Sequence, residues 1–189
     1  MAHITTSVEY GLHSLFWMIG SEATPLSIRE LAELQVLSPT FLAKIFPKLE
    51  KAGIVRASEG VRGGYVLARS PEEITFLEVV DAIEGKKPLF DCQNIRSRCP
   101  LYGHKAPAWV MKGVCEVHAV MLGAEQAMRD ALQNQSLADA LRVFERRNPP
   151  PEFTAAVQKW MGDKIEARTR KPARRNLMPG SKRKSGRSS

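Results

Sequence analysis

The sequence is organised around the stretch SPTFLAKIFPKLEKAGIVRASEGVRGGYVLA, residues 38–68. Serine followed by proline is a favourable N-cap and first helical position, and apolar residues then recur at helical spacing up to Gly53, which suits the end of a helix. Two short apolar segments follow, and the connection between them contains three glycines. Glycine permits the positive φ angles of a tight hairpin. The stretch therefore predicts one helix followed by two antiparallel strands.

Two more helices are predicted before this stretch. The first, over about residues 7–20, has one apolar face, and the second follows Ser27, which stands three residues before Glu30 as in a capping box. Three short helices followed by a hairpin is the order of a winged helix-turn-helix, in which the third helix enters the major groove of DNA. The hairpin, called the wing, would lie along the DNA backbone or the minor groove. The sequence thus predicts a mainly α fold with a two-stranded wing.

The side of the third helix opposite its apolar face is predicted to be positively charged. The polar residues on this side and on the wing are Thr40, Lys44, Lys48, Lys51, Arg56 and Arg62. Such a local density of cations suits contact with phosphates. A solvated helix face explains the charges equally well, but the ordered helix caps and the glycine-rich wing favour DNA. Pro47 lies inside this helix and should kink it.

The second half of the chain is predicted to be helical except for two segments. The predicted divisions are the winged helix-turn-helix (1–85), an irregular segment (86–107), a long helix (108–134), C-terminal helices (135–166) and a disordered basic tail (167–189). Apolar residues of the long helix follow a largely heptad spacing, at Val110, Val114, Val117, Met121, Ala124, Met128 and Leu132. A heptad seam needs a partner helix, which predicts a homodimer formed through residues 108–134.

Charge is distributed unevenly along the 189 residues, whose net charge is +8. Residues 168–189 contain nine basic and no acidic residues, which leaves a net charge of −1 for residues 1–167. Any DNA-binding face must therefore be a local patch. No run of eighteen apolar residues and no basic, apolar leader is present, so we expect neither a membrane span nor secretion. Three cysteines, an odd number, suit reduced thiols in the cytosol.

Several of these stretches resemble the IscR/NsrR/RirA family of bacterial transcription regulators. The similar stretches are SPTFLAKIF (38–46), Leu49, AGIV (52–55), RGGYVL (62–67) and ITFLEVVDAIEG (74–85), in order and at the family's spacings. The resemblance covers about residues 1–145. It implies a homodimeric DNA-binding regulator with a winged helix and a long dimerisation helix. It also implies DNA contact through Ser38, Thr40, Lys44, Arg62, Gly63 and Gly64, with Tyr65 beside them.

The cysteines are the candidate metal ligands. Six residues separate Cys92 from Cys99, fifteen separate Cys99 from Cys115, and His118 follows on the same side of the helix as Cys115. Thiolates and imidazoles bind iron–sulfur clusters and zinc, but without a CxxC pair this spacing alone favours free or structural thiols. The resemblance implies a cluster site, because sensors of the family place three cysteines and then a histidine in this order. An insertion of about ten residues between the second and third cysteines departs from the family pattern.

Glu9 and His13 form an alternative set of ligands without sulfur. They are four residues apart on the first helix, and the stretch VEYGLH (8–13) is similar to a subgroup that combines such a carboxylate and imidazole with the partner subunit's cysteines. A helix-stabilising pair packed at the dimer interface is the other interpretation. Mixed ligation of either kind favours a 2Fe–2S over a 4Fe–4S cluster.

The sequence therefore predicts a transcription repressor that binds double-stranded DNA and senses iron–sulfur status, redox state or nitric oxide. A metal-free regulator that responds to thiol oxidation or to a protein partner is the alternative, and a zinc-stabilised interaction module is a further one. An enzyme is not expected, since no nucleophile–base constellation or phosphate-binding loop stands out. A bound cluster is expected to order residues 86–107 and so to set the distance between the two recognition helices of a dimer.

Overall fold

The computed structural model describes residues 4–21, 24–58 and 63–170, and helices predominate within them. In chain order the elements are α1 (Thr6–Met18), α2 (Ile28–Leu34), α3 (Pro39–Lys51), β1 (Val55–Ser58), β2 (Gly64–Leu67), α4 (Phe76–Glu84), α5 (Ala108–Met111), α6 (Glu116–Gln133), α7 (Leu137–Glu145) and α8 (Pro151–Arg170). Two short 3-10 turns, Ile95–Arg98 and Pro100–Tyr102, precede α5. The order α1, α2, α3, β1, β2 confirms the predicted winged helix. Within the described ranges, no helix is both long and apolar enough to cross a membrane.

Local sequence signals account for where the helices begin. The hydroxyls of Ser27, Thr75 and Ser136 each accept a hydrogen bond from the backbone three residues on, and each capping box is completed by the carboxylate there. Ser38 is the N-cap of α3, as predicted, but its side chain makes no cap hydrogen bond. Its hydroxyl lies 2.6 Å from the hydroxyl of Thr40 instead. Helix α3 continues through Pro47 to Lys51.

One apolar core joins the winged helix to α7. Its fully buried residues include Leu15 of α1, Leu31 of α2, three residues of α3 and Leu137 of α7. The three residues of α3 are Leu42, Phe46 and Leu49, and Ile54 before β1 and Ile74 before α4 are also fully buried. The Leu137 backbone N–H donates to the Ile74 carbonyl over 2.9 Å, which fixes the start of α7 beside the start of α4. Helix α7 is thus part of the same body as the winged helix.

The base of the wing contains a third extended segment. Strands β1 and β2 pair antiparallel, and Leu26 adds to the outer edge of β2 through two backbone hydrogen bonds with Tyr65, of 3.1 and 2.8 Å. The approach at Gly64 is close: a Cβ atom there would lie 2.7 Å from the carbonyl carbon and oxygen of Leu26. Backbone atoms cannot give way as a flexible side chain can, so only glycine fits at this position.

Replacing Gly64 with alanine is expected to destabilise the protein by about 1–3 kcal/mol, the usual cost of overpacking a tight contact. Gly162 in α8 is the matched control, because no atom lies within 4 Å of a Cβ built there. Gly162→Ala should leave the free energy of unfolding unchanged or raise it by about 0.5–1 kcal/mol. Urea denaturation measures both. Equal stability of Gly64→Ala and the wild type would refute the close approach.

The prediction of one long helix over residues 108–134 is wrong. A break separates α5 from α6, and Val114 of the predicted seam lies in it. Gly113 has a φ of 73°, outside the right-handed helical region, and its carbonyl accepts a 2.7 Å hydrogen bond from the Arg96 guanidinium. The heptad seam is therefore limited to the positions within α6, from Val117 onward.

The C-terminal boundary also differs from the prediction. Residues 167–170, expected to begin the disordered tail, continue helix α8 to Arg170. Ion pairs from Lys164 to Glu33 and from Arg168 to Glu30 hold this end of α8 against α2, which explains why the helix persists there. The rest of the predicted tail, residues 171–189, lies outside the described residues.

Candidate functional site

Helix α3 presents two chemically distinct sides, as the sequence predicts. Its buried side consists of Leu42, Ile45, Phe46 and Leu49. On the other side Thr40, Lys44 and Lys51 are exposed. The packing of α2 against α3 holds this side outward in the arrangement of a helix-turn-helix. The exposed hydroxyl and ammonium groups can therefore reach base edges and phosphates of a duplex placed against α3.

Lys48 is exposed on the same side of α3, as predicted, but its ammonium group is bound within the chain. Its ammonium group donates a 2.6 Å hydrogen bond to the carbonyl of Ile83, near the C-terminal end of α4. The C-terminal end of a helix has unpaired carbonyls and a partial negative charge, which attract the positively charged ammonium group. Lys48 thus links α3 to α4. The sequence could not show this, because residues 48 and 83 meet only through tertiary packing.

The wing contributes one exposed cation within the described residues. Arg56 is exposed on β1, whereas Arg62, the other cation predicted for DNA contact, lies outside the described residues. Gly63 directly precedes β2, and Gly64 is its first residue. The close approach to Leu26 already requires glycine at position 64, so a DNA contact is not needed to explain that residue.

Tyr65 packs inward from the wing. Its ring centroid lies 4.8 Å from that of Phe46 on α3, and the side chain is half-buried. Burial raises the pKa of the Tyr65 phenol, and the nearby Glu50 carboxylate raises it further. The same carboxylate accepts a 3.1 Å hydrogen bond from the Ala57 backbone, which ties β1 to α3. The ring of Tyr65 therefore fixes the wing against α3.

Arg168, which belongs to the predicted disordered tail (167–189), binds at the base of the wing instead. Arg168 of α8 donates to the Glu30 carboxylate over 2.7 Å and to the carbonyls of Pro25 and Gly63 over 3.0 and 3.1 Å. No sequence signal distinguishes this arginine from its basic neighbours, because its partners lie more than a hundred residues away.

The predicted metal ligands lie in and beside the irregular segment between α4 and α6. Cys92, Cys99 and Cys115 are free thiols of intermediate burial. Cys99 precedes the second 3-10 turn, Cys115 is the N-cap of α6, and His118 stands in the first turn of that helix. The thiols therefore lie on the chain leading into α6.

Contacts from the flanks of the cysteines hold this segment near α6. The ring of Phe90 lies 6.0 Å from that of His118, and the backbone N–H of Leu89 donates to Glu125 over 2.9 Å. The bond from Arg96 to Gly113 adds a third attachment. The first part of the cysteine-containing segment, from Leu89 to Arg96, is thus tied to α6 or to the break before it.

The four predicted ligands do not converge on one point. Across residues 4–21, 24–58 and 63–170, no three His, Cys, Asp or Glu side chains are grouped so that they could hold a metal ion. The donor chemistry nevertheless suits an iron–sulfur cluster, since three thiols and an imidazole are available. Charge suits it as well: residues 86–112 contain six lysines and arginines and one acidic residue. Neighbouring cations would offset the negative charge of the thiolate ligands of a bound cluster.

Glu9 and His13 lie together on an exposed part of α1. They line an open cavity of about 350 Å³ with Phe16 and Phe76. His13 contacts the ring of Phe16 at 6.3 Å between centroids. None of the three cysteines is among the residues that line this cavity.

Comparison with known proteins agrees with the fold. A family model described as "Rrf2: Iron-dependent Transcriptional regulator" matches residues 4–142. Protein rrf2 of Nitratidesulfovibrio vulgaris is 33% identical over 141 residues, 74% of this chain and 87% of that protein. The transcriptional regulator NsrR of Halalkalibacterium halodurans is 27% identical over 139 residues, 73% of this chain and 89% of that protein.

A solved structure has the same fold. IscR from T. potens superposes with a TM-score of 0.58 over 80% of this chain and 94% of its own, at 24% identity. The family match includes the winged helix and α6, whereas α8 lies beyond the family model, which ends at residue 142. Because that model covers well over half of the sequence, the chain belongs to the Rrf2 family of transcription regulators.

Proposed function

We propose that this chain is a homodimeric transcription repressor of the cytoplasm whose affinity for its operator is set by an iron–sulfur cluster. Cys92, Cys99 and Cys115 with His118 are the proposed ligands, and Glu9 and His13 are the alternative to the histidine. The observation that carries the proposal is the confinement of all three free thiols to one positively charged segment attached to α6. The family's description as iron-dependent supports it.

A chain of direct contacts connects the thiol segment to the recognition helix. The Arg129 guanidinium of α6 donates two hydrogen bonds, of 3.1 and 2.8 Å, to the Asp81 carboxylate of α4, and these bonds raise the pKa of Arg129. Lys48 of α3 then binds the carbonyl of Ile83, two residues farther along α4. A displacement of α6 can therefore reach α3 through α4. Bound at the thiols, a cluster would supply reversible redox chemistry and a ligand set sensitive to oxygen and nitric oxide.

A metal-free thiol regulator is the second candidate. It is favoured by the observation that the thiols and His118 are not grouped as ligands within the described part of one chain. Cysteines of intermediate burial can also be reached by oxidants, as a thiol regulator requires. The two candidates differ in iron content after purification without oxygen: about two irons per subunit for a 2Fe–2S protein and none for a thiol regulator.

DNA reading by α3 is tested with duplexes selected from a random library by the full-length protein. Thr40→Ala or Lys44→Ala is expected to weaken binding to the selected duplex about 5- to 150-fold, the usual value of one contact to a base edge, with a smaller loss on a scrambled duplex. Lys105→Ala is the matched control, because Lys105 is an exposed lysine outside the winged helix. Fluorescence anisotropy measures all the affinities. Equal losses on both duplexes, or none, would show that α3 is not the reader.

A further inference from the structure

Five aromatic rings line one open cavity beside α1, α7 and α8. The cavity has a volume of about 540 Å³. Phe16 and Trp17 of α1 and Phe76 of α4 are half-buried and pack against the apolar core. The other two rings belong to Phe144 of α7 and Phe153 of α8, and their centroids lie 6.2 Å apart. Three rings are therefore held by the core, and two come from the C-terminal helices.

The two rings from the C-terminal helices are only partly covered by the described residues. Phe144 and Phe153 are each 43% exposed, and Val143 is 51% exposed. A second cavity, of about 550 Å³, is lined by the same two rings and by Met161 of α8, so the two cavities adjoin. Volumes of about 300–1,000 Å³ with an apolar and aromatic lining are usual for small-molecule sites. An apolar ligand that covered the exposed rings would release water from them, which favours binding.

Arg147 supplies a positive charge to the first cavity. It follows α7, is exposed and lines the cavity, and it forms no ion pair within residues 4–21, 24–58 and 63–170. None of the described residues that line the cavity is acidic. Glu9 lines a different cavity, which shares His13 with this one. The charge of the lining therefore suits an anion.

Neither the proposed dimer interface nor the family match accounts for this cavity. No described residue of α6 lines it. The family model ends at residue 142, so Phe144, Arg147 and Phe153 all lie beyond it. The exposed rings and the guanidinium are thus a feature of the C-terminal part of this chain.

We propose that the cavity binds a small aromatic carboxylate. The ring of the ligand packs among the five aromatic rings, which favour offset or edge-to-face contacts. Its carboxylate pairs with the Arg147 guanidinium, whose planar set of N–H donors matches a carboxylate. The site goes beyond the proposed function, because it requires neither iron nor DNA. Failure of its test would therefore leave the proposed function untouched.

Two probes with the same ring and different charge test the site: 1-naphthaleneacetate and its neutral amide, 1-naphthaleneacetamide. Isothermal titration calorimetry with the full-length protein measures the affinity for each. The wild type is expected to bind the acetate with a dissociation constant of about 10 µM to 1 mM, the range expected for a ligand of this size. The amide should bind about 3- to 10-fold more weakly, because it cannot form the ion pair.

Three variants separate the charge from the rings. Arg147→Gln removes the charge, and Arg146→Gln is the matched control, because Arg146 is exposed beside it but lines neither cavity. Phe144→Ala combined with Phe153→Ala removes two rings. Arg147→Gln should bind the acetate as weakly as the amide, whereas Arg146→Gln should bind both probes like the wild type. The double alanine variant should bind both probes at least about tenfold more weakly.

The proposal is overturned if the wild type binds neither probe, or if the two glutamine variants lose the same affinity for the acetate. It is also overturned if the double alanine variant sediments as a monomer and the wild type as a dimer, because a second copy of the chain would then cover the rings. Urea denaturation measures whether the variants fold. Because Arg147 is exposed, Arg147→Gln should fold like the wild type, so the comparison of the two probes decides the proposal even where the double variant unfolds.

Discussion

Val117→Asp is expected to convert the proposed homodimer into monomers at micromolar concentration. Within the described chain no residue of α6 is buried, and Val117 is 62% exposed. An aspartate there would remain hydrated in the monomer, so it should change the free energy of unfolding of the monomer little. In a dimer that pairs α6 with its partner, two symmetry-related carboxylates would lose water without finding a partner, at about 3–5 kcal/mol per uncompensated buried charge. The dissociation constant should therefore rise at least a hundredfold.

Sedimentation velocity over a range of concentrations measures this change. Val36→Asp is the matched control, because Val36 is 93% exposed in the turn between α2 and α3 and lies outside α6. It should sediment as a dimer like the wild type. A monomeric wild type, or a dimeric Val117→Asp variant, would contradict dimerisation through α6.

Cys115→Ala is expected to abolish iron binding. Cys115 is the N-cap of α6, so it is the thiol held most directly by a regular element. Loss of one of three thiolates leaves too few soft ligands for a cluster. Wild-type protein purified without oxygen should contain about two irons and two sulfides per subunit and absorb visible light. The variant should contain none.

Iron and sulfide assays with visible spectra check this result. His104→Ala is the control, because His104 is exposed in the same segment but is not a proposed ligand. Two further variants distinguish the two candidate sources of the ligand without sulfur. One is His118→Ala, and the other combines Glu9→Gln with His13→Ala. Full iron in Cys115→Ala would refute the ligand assignment, and an iron-free wild type would favour the thiol regulator.

Local patterns of the sequence predict much of the winged helix. The capping box at Ser27 forms as expected, and the proline after Ser38 begins α3. These features depend on residues three or four positions apart, which the sequence shows directly. The exposed side of α3 follows from the same periodicity, so Thr40 and Lys44 lie where the sequence places them.

Features that depend on distant contacts could not be predicted. The ammonium group of Lys48 is bound to the carbonyl of Ile83, and the helix predicted over residues 108–134 breaks where Gly113 meets Arg96. Arg168 contacts the wing across more than a hundred residues. A hydrophobic or charge period contains no information about such partners. The ligand set of Cys92, Cys99, Cys115 and His118 likewise stays a prediction.

In the proposed function, the state of the thiol segment sets the affinity for DNA. The most direct test is the affinity of one anaerobic preparation for a selected duplex, measured before and after the iron is removed by a chelator under reducing conditions. Binding at one of two linked sites usually changes the affinity of the other site about 5- to 150-fold. We expect removal of the iron to change the affinity for DNA by a factor of this size. Cys115→Ala should bind with the affinity of the iron-free form and should not respond to the chelator. Equal affinities before and after removal of the iron from the wild type would contradict the claim.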